Sequence, residues 1–330
     1  MKGRTIKVAI VDFSDFFNEE LILKFLKPDF SPIIDNNNPD FVFYSTFGIK
    51  HLEYKNAIKI LINVESFIPD FNDCDYAIST IKQELLGRTL WIPASFWFMK
   101  GITLNAPEIT KEIALNRKFC VFLYSQDYYG DGASLRKHFC QELMNKYKKV
   151  ECPGNILRNV YAKELSDRSS HDWIDSKRKY FSNFKFCIAF ENMDLPGYIT
   201  EKLVDCYLSN TVPIYWGSSK ELVPFPKESI ICAHDFSSLD ALIDYIKIID
   251  QDENLYMSIL NANPFKNNTI NNFFENELRA FMAHIITNGS HLFKNVHPLS
   301  TAQRCQQLNT TINKIYLKLK KILKKIIFPN

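Results

Sequence analysis

The sequence predicts two doubly wound α/β domains that face each other across a cleft. Short apolar runs of strand length alternate with helical stretches, which is the pattern of parallel sheets covered by helices. The alternation breaks once, where the chain turns polar at 105–107. With 330 residues, of which 46% are hydrophobic, the chain can bury two cores. We therefore predict domains at residues 1–107 and 108–290, followed by a helical tail at 291–330.

Four apolar runs mark the strands of the first domain. They are Lys7–Val11, Phe41–Ser45, Ile58–Asn63 and Tyr76–Ser79. Stretches of helical or loop character separate them, such as Phe17–Leu26. Because strands joined through helices pair in parallel, these runs predict a first parallel sheet.

The second domain repeats the alternation. Its predicted elements are the strand Arg117–Ser125, the helix Ser134–Lys146, the strand Ser229–Cys232 and the helix Ser238–Ile249. The turn at Gly130–Gly132 is its nearest approach to a phosphate-binding loop, and Asn155–Lys179 is charged and irregular. Neither G-x-G-x-x-G nor G-x-x-x-x-G-K-S/T occurs, so a standard dinucleotide enzyme and an ATPase lose their main support.

The stretch Phe184–Gly217 holds most of the chemical information. Phe186–Phe190 is a nearly all-apolar run, typical of a strand buried on both faces. A polar loop follows, at whose end Thr200 is expected to cap a helix that begins at Glu201 and Lys202. A loop that runs from the carboxyl end of a strand into a helix N-terminus is where open α/β sheets bind nucleotides, because the free N–H groups favour anions. We therefore predict an anion site here.

A basic amphipathic tail follows the second domain. Between residues 311 and 330, apolar side chains recur at helical spacing among six lysines and no acid. Such a helix can lie on an anionic membrane surface, or it can pack on its own domain with its lysines in water. The whole chain carries a net charge of +3, so the balance without these residues is −3, which argues against a nucleic-acid surface.

The eight cysteines are scattered without a C-x-x-C pair, and Cys120 and Cys187 lie in apolar runs. This favours reduced core cysteines in a cytosolic protein over a disulfide framework or a structural zinc site. The apolar run Val8–Val11 is too short for a signal-peptide core or a membrane span. We therefore expect a cytoplasmic protein that the tail holds to the inner face of the membrane.

Three blocks of the central stretch resemble a known family. Phe190–Asn192, Gly197–Lys202 and Val212–Gly217 closely resemble the signature of the family 10 α-1,3/4-fucosyltransferases, in its bacterial form. Weaker similarity extends over Asp40–Pro264, including His234–Phe236. The resemblance implies a metal-independent GT-B enzyme that needs no cofactor and transfers fucose from GDP-fucose with inversion. Its second domain would hold the donor. Its first would hold the acceptor, expected to be a GlcNAc residue of an N-acetyllactosamine or lipopolysaccharide glycan.

Four residues of the second domain are expected at the donor through this resemblance. Lys202 and Arg158 would bind the diphosphate, and Tyr198 and Glu201 would also contact the donor. Without a metal, the departing GDP needs fixed cations and N–H groups. A lysine in the first turn of a helix is unfavourable to the helix dipole unless an anion lies beside it, which favours this role over a merely solvated lysine. The alternative for Glu201 is an ordinary acid at a helix N-terminus.

Glu191, Asn192 and Ser125 complete the predicted donor set, and Arg136 is a further candidate. Two roles remain open for Glu191 and Asn192: they contact the donor directly, or they brace the loop that does.

Glu65 is the candidate general base. It follows the strand Ile58–Asn63, which places a carboxylate at the cleft edge of the acceptor domain. Transfer at an anomeric carbon requires a carboxylate to take the proton of the acceptor hydroxyl. In the bacterial relatives the matching glutamate stands between Gly and Asn, whereas here it stands between Val64 and Ser66.

Two other interpretations remain open. The fold could serve a different sugar donor or acceptor, or the chain could be a non-catalytic, membrane-associated glycan-binding protein. The aromatic residues Trp91, Phe96 and Trp97 could stack on sugar rings or belong to the core. His51 lacks a catalytic triad context and is expected on the surface.

Overall fold

A computed structural model of the chain describes residues 3–14, 19–99, 106–128, 130–266 and 271–289. The tail predicted at 291–330, and with it the expected membrane contact, lies outside the described residues.

The first domain contains a six-stranded parallel sheet. Its strands are β1 (Arg4–Val11), β2 (Phe30–Ile34), β3 (Phe41–Tyr44), β4 (Ile58–Asn63), β5 (Tyr76–Ser79) and β6 (Thr89–Trp91), in the order β2-β1-β3-β4-β5-β6. The four predicted strands are confirmed. The sequence pattern misses β2 because this edge strand is mostly exposed and contains Pro32, and it misses β6 because that strand is only three residues long.

The second domain contains a five-stranded parallel sheet. Its strands are β7 (Lys118–Val121), β8 (Val150–Glu151), β9 (Phe184–Phe190), β10 (Val212–Trp216) and β11 (Ile231–Cys232), in the order β11-β10-β9-β7-β8. As expected, β9 is almost wholly buried because it pairs with β10 on one side and β7 on the other.

Helices cover both sheets. They are α1 (Glu19–Leu26), α2 (Ala94–Met99), α3 (Lys111–Leu115), α4 (Asp131–Lys146), α5 (Trp173–Phe181), α6 (Glu201–Leu208), α7 (Leu239–Gln251), α8 (Glu253–Asn261) and α9 (Asn271–Asn288). The segment predicted to be irregular, Asn155–Lys179, contains most of α5, which buries only Tyr180 and Phe181. Among the described residues, no helix combines the length and the apolar character needed to cross a bilayer.

The helix α9 follows the second sheet in sequence but packs on the first. The guanidinium of Arg279 lies 3.0 Å from a carboxylate oxygen of Asp29, and the ring of Phe281 meets that of Tyr76 edge to face at 6.3 Å between centroids. One continuous apolar cluster extends from β1 through α9 to α6. The two sheets are therefore joined by a shared core, which fixes how their edges face each other.

Both sheets have the same topology around their first and third strands. In each, the first strand lies between the second and the third, so successive connections leave in opposite directions at that point. Open α/β sheets bind ligands at such a switch point, beyond the carboxyl ends of the strands. In the second sheet, this places a candidate site between the loops that follow β7 and β9.

Candidate active site

The loop that follows β9 lies in the interface between the two domains. The backbone N–H groups of Lys82 and Ser95, in the first domain, donate to the carbonyls of Pro196 and Ile199 at 2.7 and 2.8 Å. Gly197 has φ +77°, and a Cβ there would lie 2.3 Å from the indole nitrogen of Trp91. Only glycine fits this conformation and this contact. The loop therefore presents the start of α6 to the first domain.

The aromatic residues near this interface pack inside the protein. Phe96 is fully buried and Trp97 nearly so, and the indole N–H of Trp91 points to the carbonyls of Thr80 and Gly197, at 3.2 Å each. Of the two roles left open for these residues, the structure favours the core.

Glu191 braces the loop and the first turn of α6. Its carboxylate is fully buried and accepts from the backbone N–H of Thr200 at 2.8 Å and from the Thr200 hydroxyl. The ammonium of Lys202 adds a bond at 2.9 Å. Thr200 occupies the predicted N-cap position of α6, but its side chain makes no cap hydrogen bond because it bonds to Glu191 instead. Gly217 leaves room for the Glu191 side chain, because a Cβ at position 217 would lie 2.7 Å from Cγ of Glu191.

Lys202 lies between two carboxylates. Its ammonium contacts Glu191 at 2.9 Å and Glu201 at 3.7 Å, and its side chain is 16% exposed. Burial works against its charge, but these carboxylates hold the pKa of Lys202 above its usual value. The carboxylate of Glu191 thus compensates the unfavourable interaction between the Lys202 charge and the dipole of α6. The ammonium carries three N–H donors and gives hydrogen bonds to Glu191 and Thr200. Counting the described residues only, one N–H has no hydrogen-bond acceptor and can serve a ligand.

Glu201 is ionised, and its side chain is 33% exposed. Despite its burial, the charges of Lys202 and Lys177 lower the pKa of Glu201 to about 2. Sequence reasoning missed Lys177. This lysine lies on α5, which packs on α6, and pairs with Asp205. Nothing in the local sequence signals it, because only the packing of two helices brings it to Glu201.

The candidate base belongs to the same cluster although it comes from the other domain. Burial raises the pKa of Glu65, the charge of Glu201 raises it further, and the charge of Lys202 opposes both. Tyr198 is buried beside these groups, and burial raises its pKa with contributions from Glu191 and Glu65. The structure therefore brings together residues that lie 133 to 137 positions apart in the sequence.

The loop that carries Glu65 is set by the residue before it in the strand. The buried amide of Asn63 accepts from the backbone N–H of Glu65 at 2.9 Å and donates to the carbonyl of Phe67 at 2.7 Å. This Asn63 turn fixes the backbone in a chain that has Val64 and Ser66 beside the glutamate. Within the described part of the chain, the Glu65 carboxylate makes no hydrogen bond or ion pair, so it is available to a ligand.

Three further predicted residues hold the loops at this edge of the second sheet. Arg136 is buried and donates to the amide oxygen of Asn192 at 2.7 Å and to the carbonyl of Gln126 at 2.8 Å. The Ser125 hydroxyl accepts from Arg168 at 2.6 Å. Asn192 and Glu191 therefore both brace the loop, which is one of the two roles left open for them.

Arg158 lies on the loop that follows β8, at the same edge of the sheet. Its guanidinium is exposed and donates to the carbonyl of Gly154 at 3.0 Å and to the side chain of Asn155 at 2.7 Å. Among the described residues, no bond connects it to Lys202. A cavity of about 430 Å³ is lined by Asp131, Ser134, Leu135, His138 and Trp216, none of which is a predicted donor residue.

The arrangement can support acid–base chemistry beside an anion. Across the domain interface from Lys202 lies Glu65, a partly buried carboxylate that has no partner among the residues the structure describes. No group of three or more His, Cys, Asp or Glu residues suited to a metal ion occurs within the described ranges. The seven described cysteines are all free and buried, in agreement with their predicted place in the core.

Family models match both halves of the chain. Residues 118–320 match the model described as glycosyltransferase family 10 (fucosyltransferase), C-terminal. Residues 8–98 match the α-(1,3)-fucosyltransferase FucT N-terminal domain. The first of these matches covers more than half of the chain.

Curated proteins and solved structures give related matches. The chain is 28% identical over 295 residues to α-(1,3)-fucosyltransferase FucT of Helicobacter pylori, covering 77% of this chain and 58% of that protein. It is 34% identical over 185 residues to human GDP-fucose protein O-fucosyltransferase 3, covering 55% of this chain and 38% of that protein. The chain thus spans less than two thirds of either relative.

A crystal structure of an α1,3-fucosyltransferase with GDP superimposes with a TM-score of 0.67 at 24% identity, covering 89% of this chain and 94% of that one. A second crystal structure of α1,3-fucosyltransferase gives a TM-score of 0.69 at 24% identity, over 90% and 93% of the two chains. The predicted pair of doubly wound domains in a GT-B arrangement is confirmed.

Proposed function

The chain belongs to glycosyltransferase family 10, and from this membership we propose that it is an inverting α-1,3-fucosyltransferase that moves fucose from GDP-fucose to a GlcNAc residue of a glycan. One observation carries the proposal. The carboxylate of Glu65, which has no partner in the described part of the chain, shares a charge cluster with Glu201 and Lys202 across the domain interface. A transferase with separate acceptor and donor domains needs this juxtaposition, whereas a glycan-binding protein has no chemical use for it.

In the proposed reaction, Glu65 takes the proton of the acceptor hydroxyl as that oxygen attacks the anomeric carbon of fucose. The new carbon–oxygen bond forms on the face opposite the leaving group. The bond from the anomeric carbon to the phosphate oxygen breaks, and its electron pair leaves with GDP. Burial raises the pKa of Glu65, which makes its carboxylate a stronger base than that of an exposed glutamate.

Lys202 and the first turn of α6 stabilise the departing diphosphate in this proposal. The remaining N–H of the Lys202 ammonium and the free backbone N–H groups of the helix start supply fixed positive potential. The pKa of Lys202 is raised, so the ammonium keeps its charge throughout the neutral range. We propose Tyr198 and Glu201 as further donor contacts, and Arg158 as a second cation for the diphosphate. Since these groups supply the charge, we expect no metal requirement.

The acceptor is the least constrained part of the proposal. One relative is an α-(1,3)-fucosyltransferase and another is a protein O-fucosyltransferase, so a hydroxyl of a protein is the alternative to a GlcNAc hydroxyl. We also keep the prediction that residues 311–330 bring the enzyme to the anionic inner face of the membrane. Their six lysines support it. Cosedimentation with anionic and with zwitterionic vesicles, with and without residues 311–330, tests that point.

Incubation of the purified protein with GDP-fucose and N-acetyllactosamine in the presence of EDTA tests the central proposal. Mass spectrometry should detect both GDP and a fucosylated product, and NMR of the product should show the α-1,3 linkage. Product in EDTA would support donor, acceptor class and metal independence together. Release of GDP without the product would retain the donor and point to another acceptor. If folded protein gave neither GDP nor the fucosylated product, the proposal would be overturned.

A further inference from the structure

A buried Asp–His–Asp cluster lies at the switch point of the first sheet. The His51 side chain is 2% exposed, its Nδ1 lies 2.6 Å from Asp12 and its Nε2 lies 2.8 Å from Asp73. The ring of Tyr44 stacks on the imidazole at 3.9 Å between centroids. The expectation that His51 lies on the surface is wrong, and its burial between two carboxylates requires an explanation.

The cluster ties together three connections of the first domain. Asp12 follows β1, His51 lies between β3 and β4, and Asp73 lies between β4 and β5. The Asp12 carboxylate also accepts from the backbone N–H groups of Lys50 and His51, at 2.9 and 2.8 Å. Its carbonyl accepts from the N–H of Phe47 at 3.1 Å. A single aspartate thus closes the crevice where a parallel sheet of this topology would hold a ligand.

Asp12 is held in a strained conformation to do so. It has φ +60°, one of four positive values outside glycine in the described residues. Left-handed backbone is unfavourable for a residue with a side chain, and it persists only where the surroundings enforce it. Here the enforcing contacts are those to residues 47–51. Such strain commonly accompanies a functional constraint.

The connection that Asp73 belongs to is the one that carries Glu65. It begins with the Asn63 turn that sets the Glu65 backbone and ends at Asp73, just before β5. Beyond that end, Arg88 donates to the carbonyls of Asp75 and Cys74 at 2.7 and 2.9 Å. The Glu65 connection is therefore fixed at its start by Asn63 and at its end by His51 and Arg88.

We propose that His51 is a positioning residue for the transfer reaction: as an imidazolium between Asp12 and Asp73, it holds the β4–β5 connection so that Glu65 faces the donor. This inference rests on the proposed function, because it assigns Glu65 the role of base. Because its side chain is buried, His51 is proposed to act without touching either substrate. It acts through the carboxylate of Asp73 and the backbone between Asp73 and Glu65.

The protonation state of His51 decides whether its ring donates a hydrogen bond to both carboxylates. An imidazolium donates to both carboxylates, whereas a neutral ring has one N–H and turns a lone pair towards the other carboxylate. Burial lowers the pKa of His51, but the hydrogen bonds and charges of Asp12 and Asp73 raise it above its ordinary value. Tyr44 and Cys74 also pack here, and burial raises the pKa of both. The charge of Asp75 acts on both of these groups and that of Arg88 on Cys74. A folded pKa above the unfolded value means that the stabilisation is complete below about pH 6.5 and is lost as the pH rises through the folded value.

The Asp73→Asn variant separates this role from ordinary packing. An asparagine of the same shape can donate an amide N–H to a neutral Nε2, while Nδ1–H still donates to Asp12. We expect kcat of the wild type to fall on the alkaline side, and we expect this fall to be lost in Asp73→Asn. His51→Gln should lower kcat between about tenfold and a hundredfold at all pH values. The Kd for GDP should stay within about twofold in both variants, since the donor lies in the other domain.

The measurement is kcat with GDP-fucose and N-acetyllactosamine against pH for the three proteins, with circular dichroism and GDP titration to show that each is folded. The proposal would be overturned if kcat of the wild type and of Asp73→Asn depended on pH in the same way on the alkaline side. A loss of GDP affinity in parallel with kcat would also overturn it. If the wild type makes no product at any pH, the proposed function itself fails and this inference falls with it. Should His51→Gln not fold, Asp73→Asn alone decides the question.

Discussion

Glu65 and Glu191 both follow the carboxyl end of a central strand, yet they differ in their surroundings and in the role we assign to them. Burial raises the pKa of both carboxyls, so the direction of that shift does not distinguish them. Their hydrogen bonds distinguish the two carboxylates. Glu191 is completely buried and bonded to Thr200 and Lys202, whereas Glu65 is half-buried and has no partner in the described ranges. A saturated buried carboxylate holds structure; one left open at a cleft can take a proton from a substrate.

Removing the Glu65 charge should abolish most of the activity and leave the fold intact. The Glu65→Gln variant keeps the shape of the side chain but cannot accept a proton, so we expect kcat to fall by about 10²- to 10⁴-fold. Because the carboxylate has no partner to lose among the described residues, the free energy of unfolding should stay the same or rise slightly. Steady-state kinetics and urea unfolding measure the two effects.

The control for this change is Glu84→Gln, which neutralises an exposed glutamate of the same domain and should leave kcat unchanged. If Glu65→Gln retained most of the wild-type activity, the base would have to be another group. A large loss of stability would instead show that Glu65 resembles Glu191 after all.

The Glu191→Gln variant should show the opposite pattern. It removes the buried partner of Lys202 and places an amide N–H against donors at Thr200 and Lys202. Breaking a buried ion pair from one side typically costs about 3 to 5 kcal/mol, and since Lys202 retains 16% exposure we expect about 3 kcal/mol. Urea unfolding beside Glu65→Gln as the matched neutralisation gives the comparison. Equal stability of the two variants would remove the distinction drawn between the two glutamates.

Lys202 links the structural carboxylate to the proposed ligand, so its loss should reduce GDP affinity. A charge-assisted hydrogen bond contributes about 1.5 to 3 kcal/mol, and we therefore expect the Kd for GDP to rise about 10- to 150-fold in Lys202→Ala. Isothermal titration calorimetry at fixed salt measures it. Lys179→Ala, an exposed lysine on α5, serves as the control with unchanged affinity. A Kd within twofold of the wild type would place the diphosphate elsewhere.

The sequence predicts the parts of this site that depend on chain-local patterns. The apolar run of β9, the polar loop and the start of α6 at Glu201 are all legible, because strand burial and helix initiation leave short-range signals. The bracing role of Glu191 cannot be predicted, because the sequence does not show whether a glutamate carboxylate is hydrogen-bonded in the fold or free. Lys177 and the Asp12–His51–Asp73 cluster depend on packing between distant segments. The edge strand β2 escapes the sequence pattern for a different reason, because it is mostly exposed and contains Pro32.

The smallest expected effect tests whether Glu65 and Glu201 act on each other in solution. A general base works when deprotonated, so kcat/KM should rise with pH through the pKa of Glu65, which lies above the ordinary glutamate value of about 4.3. The negative charge of Glu201 contributes to that rise in pKa. In Glu201→Gln we therefore expect the acid limb of the kcat/KM profile to move to lower pH, apart from any change in the plateau. Glu112→Gln, an exposed acid on α3, should leave the limb in place. A limb that does not move in Glu201→Gln would mean that the two carboxylates do not interact when the enzyme turns over, and that Glu65 reaches its substrate from a different position than the one seen here.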